Sequence, residues 1–401
     1  MTVPLTYAQE LLDEVERHDP ARIRRPRFTV ERSYTVTGAI DPAALAAALD
    51  DVVVRHEALR TVRDGAGQRI LPPVPVGLDT GGGGFDGPLP GGQVPALRAR
   101  LVGGRLDLAA HHGAADPWSL TVIARDVVTA YHARLAGGRL DASVMQYADI
   151  AADDRSPQWQ KRIAEVVPRW RERLCGLGPS GPPTLSSEGE RTYPLAVVTF
   201  TLGDDLWRAV GATARRARST PFTLLLAAFA AALYPPGDTA EAVLPVITPG
   251  RIPSEWDTVG FLLNVLTVRL PMTGDPDPAE LLRRVDTACR QAYADDIPLV
   301  PVLRAVPGLL DVLAGARAAP AFRYIARPAM TPPIEEPRFT LTPLGTETPP
   351  SVILGTPILV TIHPGGRGEV AYDPGLVAAS HVERLVDAYL AVLPAFAGAG
   401  R

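Results

Sequence analysis

The chain has 401 residues, of which 46% are hydrophobic and 21% charged, and a formal net charge of −4. Such a length exceeds one ordinary core and points to two domains, and the composition is that of a soluble globular protein. The small negative charge gives no electrostatic reason to expect nucleic acid or an anionic membrane as a partner.

The first residues, "MTVPLTYAQELLDEVERHD", carry acids and no long apolar core, so no signal peptide is expected and cytoplasmic residence is the default. Ser33 to Thr37 is a β-branched run, and Asp41-Pro42 opens a helix through "AALAAALDDVVVRHEALR" by an acidic cap followed by proline at the first helical position. The glycine-rich stretch 79–92 lacks a following Gly-Lys-Ser/Thr and reads as a surface loop, not a phosphate cradle. "ALRARLVGGRLDLAAHH" reads as two strands joined at Gly103-Gly104. Asp116-Pro117 is a second cap signal, and Leu120, Ile123, Val127, Val128, Tyr131 and Leu135 then recur at helical spacing up to a stop at Gly137-Gly138.

Residues 176–194 ("GLGPSGPPTLSSEGERTYP") have linker composition and divide the chain into an N-terminal domain, 1–175, and a C-terminal domain, 195–401. Beyond it, strands are expected at Ala196–Leu202, Ala242–Ile247, Val259–Leu270 and Ile358–Ile362. Thr220-Pro221 opens an apolar helix too short to cross a bilayer, Asp277-Pro278 opens another with Glu280 placed to complete a capping box, and Ser380 with Glu383 forms a box before "RLVDAYLAVL". Helices and strands alternate, so the fold class is α/β. Cys175 and Cys289 lie in helix-like patterns without Cys-x-x-Cys spacing, which argues against a disulfide or a zinc site.

The stretch "LAAHHGAADPWSL" (108–120) is where chemistry is to be sought. His111 and His112 end a strand and precede a helix, a loop position that commonly presents functional side chains. Adjacent residues of an extended backbone point to opposite sides, so at most one imidazole can enter a given pocket, and a two-histidine metal site from this pair is not expected. On these residues alone the alternatives stay open. The histidines are a structural pair or supply one catalytic imidazole, and Asp116 is a helix cap, an ion-pair partner or both. His56 ends a helix and reads as a cap or core residue; His18, His132, His363 and His381 have no motif around them.

"HHGAADPWS" resembles the HHxxxDG motif of the condensation domains of non-ribosomal peptide synthetases, members of the chloramphenicol acetyltransferase-like acyltransferases. Further segments resemble the family's motifs in the family's order: "PLTYAQELL" (4–12), "VVRHEALRT" (53–61), "MQYADIA" (145–151), "RWRERLCG" (169–176), "FTLLLAAFAAAL", "LPVITPGR" and "VGFLLNVLTVRL" (259–270). The resemblance implies two acetyltransferase-like α/β sandwich lobes forming a V-shaped pseudo-dimer, with the histidine motif midway along a tunnel in the cleft. It implies a free-standing, monomeric acyltransferase that joins a carrier-bound acyl or aminoacyl thioester to an amine in natural-product or antibiotic biosynthesis. No cofactor is expected to be bound by the chain itself; the substrate comes on the phosphopantetheine arm of a carrier protein. Carried over residue by residue, the site is His112 as base or amine-positioning acceptor, His111 shaping the loop, and Asp116 paired with Arg251. Gly113, Trp118 and Asn264 support it. The family's glycine after the aspartate is Pro117 here, and proline has no N–H to offer an oxyanion. Alternatives of the same resemblance are an ester-forming acyltransferase and a non-catalytic condensation-like module that recruits a carrier protein or a tailoring enzyme.

Overall fold

The computed structural model describes residues 3–18, 29–65, 67–82, 92–178, 195–234, 240–315, 317–325, 340–343 and 356–398, with residues 85, 89, 189 and 192 between them. Most of the linker 176–194, parts of the glycine-rich loop 79–92 and most of the proline-rich region 325–357 lie outside the described residues.

In chain order the strands are β1 (Val3–Pro4), β2 (Thr29–Thr37), β3 (Thr61–Asp64), β4 (Gly67–Ile70), β5 (Leu78–Asp79), β6 (Leu97–Val102), β7 (Arg105–His111), β8 (Ala196–Thr201), β9 (Glu241–Thr248), β10 (Asn264–Pro271), β11 (Ala321–Tyr324), β12 (Thr340–Pro343), β13 (Ile358–Ile362) and β14 (Arg367–Tyr372). The helices are α1 (Tyr7–His18), α2 (Pro42–Arg55), α3 (Pro117–Leu135), α4 (Tyr147–Asp153), α5 (Pro157–Leu174), α6 (Asp204–Arg216), α7 (Pro221–Leu233), α8 (Pro278–Ala294), α9 (Leu299–Ala305), α10 (Leu309–Ala314) and α11 (Ala379–Gly398). Strands and helices alternate, as an α/β fold requires.

The chain divides into two compact units. The first comprises Met1–Arg162, Pro249–Leu263 and Pro328–Ser351, and the second Ile163–Thr248, Asn264–Arg327 and Val352–Arg401. Relative to the division at 176–194, therefore, the segment after β9 counts with the first unit and most of α5 with the second.

In the first unit a five-stranded sheet has the order β12-β2-β7-β6-β5, and a small sheet the order β1-β4-β3. β6 and β7 pair antiparallel through a two-residue turn at Gly103 and Gly104, whose φ angles of 57° and 76° are the left-handed values that such a hairpin needs. β7 is thereby a central strand. Its Leu106, Leu108 and Ala110 are buried in one core with Leu45, Leu49 and Val52 of α2 and Ile123, Val127 and Tyr131 of α3. Asp41 caps α2 by accepting the N–H groups of Ala43 and Ala44.

In the second unit a six-stranded mixed sheet has the order β10-β9-β11-β13-β14-β8. β11 runs parallel to β9 and β13, and β13, β14 and β8 pair antiparallel. Helix α7 is apolar nearly all round, and its residues from Thr223 to Ala230 are all buried. An all-apolar helix is the pattern of a core element. Among the described residues, no helix is long and apolar enough to cross a membrane.

Three local expectations are corrected. The strand expected at Val259–Leu270 starts only at Asn264, because residues 260–262 spend their backbone groups on partners outside any sheet, described below. Asp277 does cap α8 through the Glu280 N–H, but the Glu280 carboxylate turns to Arg283 and Arg284, three and four residues on, and does not reach back to close a box. Ser380 and Glu383 lie inside α11, whose ladder begins two residues earlier than expected: the Ala378 carbonyl accepts the N–H of His381 at 2.9 Å.

Candidate functional site

The loop between β7 and α3 is wound tightly by its own backbone. The His111 carbonyl accepts the N–H groups of Ala114 and Ala115 at 2.9 and 3.1 Å, and the His111 N–H reaches the Ala96 carbonyl at 3.1 Å. His112 points inward and is 1% exposed. Its Nδ1 lies 2.9 Å from the Ala115 carbonyl oxygen. A carbonyl can only accept, so Nδ1 carries a proton, and in the neutral ring Nε2 holds the lone pair. The ring meets the Phe261 ring edge-to-face, with centroids 5.2 Å apart at 87°.

His111 is set apart from its neighbour. Its Nδ1 accepts the Gly113 N–H at 3.1 Å, and burial followed by the charge of His112 pushes its pKa down to about 4. It is therefore neutral at neutral pH. A Cβ on Gly113 would stand 3.1 Å from that same Nδ1, a tight contact that the His111 ring would have to shift to relieve.

Asp116 is both a cap and an ion-pair partner. It accepts the Ser119 N–H at 2.9 Å as the N-cap of α3, and Pro117 occupies the first helical position, where an N–H would have had no intrahelical partner. The same carboxylate receives Arg251 in a two-pronged pair, Nη1 to Oδ2 at 2.6 Å and Nη2 to Oδ1 at 3.0 Å, with both side chains fully buried. The Leu262 N–H adds a bond to Oδ2 at 3.1 Å and the Ser119 hydroxyl one to Oδ1 at 3.0 Å. A carboxylate held by a guanidinium and three further donors fastens the loop. Arg251 also donates to the carbonyls of Pro249 and Gly260 and to Ser119 Oγ. Trp118 flanks it: the guanidinium lies 5.9 Å from the indole centroid, and the indole N–H bonds the Trp256 carbonyl at 2.8 Å.

His111, His112, Gly113, Asp116, Trp118 and Arg251 thus come together in the first unit. Asn264 does not join them. It sits in the second unit, where its Nδ2 donates to Asp296 Oδ1 and the Ile297 carbonyl, and its Oδ1 accepts the Leu299 N–H. It pins the α8–α9 connection to the start of β10. His56 is also elsewhere: it caps the C-terminus of α2, and its Nε2 lies 2.8 Å from Asp126 Oδ2. Burial holds its pKa below the ordinary value against the opposing pull of Asp126. Among the described residues, no group of three or more His, Cys, Asp or Glu side chains could hold a metal ion.

Besides Phe261, the residues Ser119, Thr6, Gln9 and Tyr147 of this neighbourhood were not singled out in the sequence. Ser119 is fully buried; its Oγ accepts the Gly260 N–H at 3.1 Å and lies 2.8 Å from the Gly260 carbonyl. Thr6 and Gln9 form a reciprocal capping box on α1. Its Thr-x-x-Gln spacing is a readable signal. The Thr6 hydroxyl lies 2.9 Å from the Tyr147 hydroxyl, which in turn donates to the Phe261 carbonyl at 2.7 Å.

A model of the family described as "Condensation domain" matches residues 96–305, slightly more than half of the chain and the stretch holding the whole β7–α3 loop, Tyr147, Arg251 and Phe261. The chain belongs to the condensation-domain family. CymA of Salinispora arenicola, a probable non-canonical nonribosomal peptide synthetase, is 34% identical over 74% of this chain, which spans 4% of CymA's length. SgcC5 of Streptomyces globisporus, solved with (R)-(-)-1-(2-naphthyl)-1,2-ethanediol and sucrose, superposes with a TM-score of 0.80 at 28% identity and covers 97% of both chains. The X-domain from teicoplanin biosynthesis shares the fold, with a TM-score of 0.79 at 23% identity over all of this chain and 96% of its own. This condensation domain therefore has the family's two-part α/β fold, and its relatives place the family in nonribosomal peptide and antibiotic biosynthesis.

Proposed function

We propose that this condensation domain joins an acyl or aminoacyl group, carried as a thioester on the phosphopantetheine arm of a carrier protein, to an amine, forming an amide. The observation that supports it best is the tautomer of His112, whose Nδ1 proton is committed to the Ala115 carbonyl so that Nε2 is the basic nitrogen. In the reaction the amine nitrogen attacks the thioester carbonyl carbon, the carbon–sulfur bond breaks, and the sulfur leaves. His112 Nε2 takes the proton released by the amine and passes it to the departing sulfur, giving an amide and a free thiol. A thioester is already activated, so alignment carries much of the burden; it can supply on the order of 7 kcal/mol or more. Asp116 and Arg251 hold the loop that carries His112, and Pro117 leaves the oxyanion to a donor other than its own amide.

The likeness to SgcC5, which binds an aryl diol, supports a second reading in which an alcohol replaces the amine and the product is an ester. The residue roles are the same. A direct test offers carrier proteins loaded with candidate acyl groups together with amines and aryl diols, with products followed by mass spectrometry. The expected result is turnover that falls roughly a hundred- to ten-thousand-fold in His112→Ala. Ester without amide would select the second reading. Undiminished turnover in His112→Ala would remove that residue from the chemistry, and absence of product with every pair would turn the reading to recruitment of a carrier protein or tailoring enzyme.

A further inference from the structure

The segment Gly260–Leu262 is clamped at each of its three residues. Gly260 donates its N–H to Ser119 Oγ while its carbonyl accepts Arg251 Nη2, and the Leu262 N–H is held by Asp116. Between them, the Phe261 carbonyl accepts the Tyr147 hydroxyl at 2.7 Å. The direction of the whole relay follows from proton counting. The Tyr147 proton goes to a carbonyl that can only accept, so the Thr6 hydroxyl, 2.9 Å away, must donate to Tyr147, while Thr6 Oγ1 accepts the Gln9 N–H at 3.1 Å. The Tyr147 ring also lies so close to Gly260 that a Cβ there would fall 2.5 Å from Tyr147 Cδ2. One tyrosine thus touches two consecutive residues of the clamp.

What the clamp presents is the Phe261 ring, fully buried and standing edge-to-face against His112. The bond from Nδ1 to the Ala115 carbonyl holds one edge of the imidazole, and the Phe261 ring packs against it edge-to-face. We infer that Tyr147 is a positioning residue for His112, setting the aim of its Nε2 through the Phe261 carbonyl and ring; this rests on the reading of His112 as the group that handles the nucleophile's proton. Tyr147 itself does no acid–base work. It is fully buried, and burial pushes its hydroxyl far above the ordinary tyrosine range, so it stays a donor at every working pH.

The test has one readout that needs no substrate. The whole chain is labelled with 15N-histidine, and long-range 1H–15N correlations report each ring, with the His112 signals assigned by their loss in His112→Ala. Tyr147→Phe keeps the ring that packs on Gly260 and removes only the hydroxyl. It is expected to shift the His112 signals and to lower kcat about tenfold to a hundredfold at little change in KM, as a misaimed catalytic group does. Phe261→Leu is the second variant, expected to shift the same signals. Tyr389→Phe, which removes a buried hydroxyl donating to the Leu225 carbonyl in the second unit, is expected to leave them in place. His112 signals that superpose on wild type in Tyr147→Phe overturn the inference, whatever Phe261→Leu and the turnover show. Shifted signals in a chain that makes no product with any substrate pair sustain the positioning role and count instead against the proposed reaction.

Discussion

Asp116→Asn separates the two jobs of that carboxylate. Asparagine caps a helix about as well as aspartate, so the start of α3 keeps its chemistry and the loss reports the buried pair. Five donor bonds converge on the two carboxylate oxygens: two from Arg251, the N–H and hydroxyl of Ser119, and the Leu262 N–H. An amide has one acceptor oxygen. Its NH2 must then face either Arg251 Nη1 and the Leu262 N–H or Arg251 Nη2 and the Ser119 donors, and in both cases donor meets donor. The guanidinium, whose side chain has no exposure, loses its counter-charge but retains the Pro249 and Gly260 carbonyls and Ser119 Oγ. Breaking one side of a buried pair costs about 3–5 kcal/mol, and the retained acceptors place this case near the lower figure. For a unit of this size that is a fall in Tm of about 6–12 °C. Trp118, bonded to the Trp256 carbonyl beside Arg251, makes tryptophan fluorescence the natural probe of thermal and urea unfolding. The matching double variant, Asp116→Asn with Arg251→Met, removes both charges and is expected to recover a substantial part of the loss, with a coupling of at least about 1 kcal/mol. A single-variant cost below about 1 kcal/mol, or strict additivity in the cycle, would refute the claim that this pair fastens the loop.

Two further perturbations probe the same unit. Burial pushes the Asp154 carboxyl up to about 6, from an ordinary value of 3.8, although it accepts the Tyr7 N–H at 2.8 Å. A raised folded-state pKa in an acid means a penalty that is absent below the unfolded value, grows between the two and is complete above the folded one. Asp154→Asn is therefore expected to be more stable than wild type at pH 8, by at most about 3 kcal/mol, with the advantage fading as pH falls through about 6 and gone near 4. A pH-independent difference in urea unfolding would count against this account. Gly260→Ala is expected to lower Tm, because its new carbon would lie 2.5 and 2.8 Å from two ring atoms of a tyrosine that is itself buried. Overpacking of this kind costs about 1–3 kcal/mol, and a wild-type melting curve would show that the segment yields more easily than described.

The features that could be read in advance are those whose physics is local. Asp41, Asp116, Thr220 and Asp277 each cap the helix that follows, because a short acceptor ahead of proline satisfies an orphan N–H whatever the rest of the chain does. The Gly103-Gly104 hairpin follows from positive φ at both residues. The Asp116–Arg251 partnership came instead from the order of motifs along the chain, and no local rule would have joined positions separated by 135 residues. What escaped is tertiary in origin. The run Val259–Leu270 is mostly apolar, and periodicity cannot distinguish its first residues from its strand. Only the coordinates show Gly260, Phe261 and Leu262 diverted to Ser119, Tyr147 and Asp116. Likewise Glu280 has the spacing for a capping box, yet two arginines within the next turn draw its carboxylate away, and an ion pair with two charged partners outweighs a single backbone N–H. The Thr6–Gln9 box shows the limit most clearly. Its form is visible in four letters, but its consequence is not: Thr6 meets Tyr147 across 141 positions and so places a helix cap at the head of the relay that ends beside His112. A motif can name the residues that matter here, while the aim of the reactive ring is decided by carbonyls and hydroxyls that carry no signature of their own.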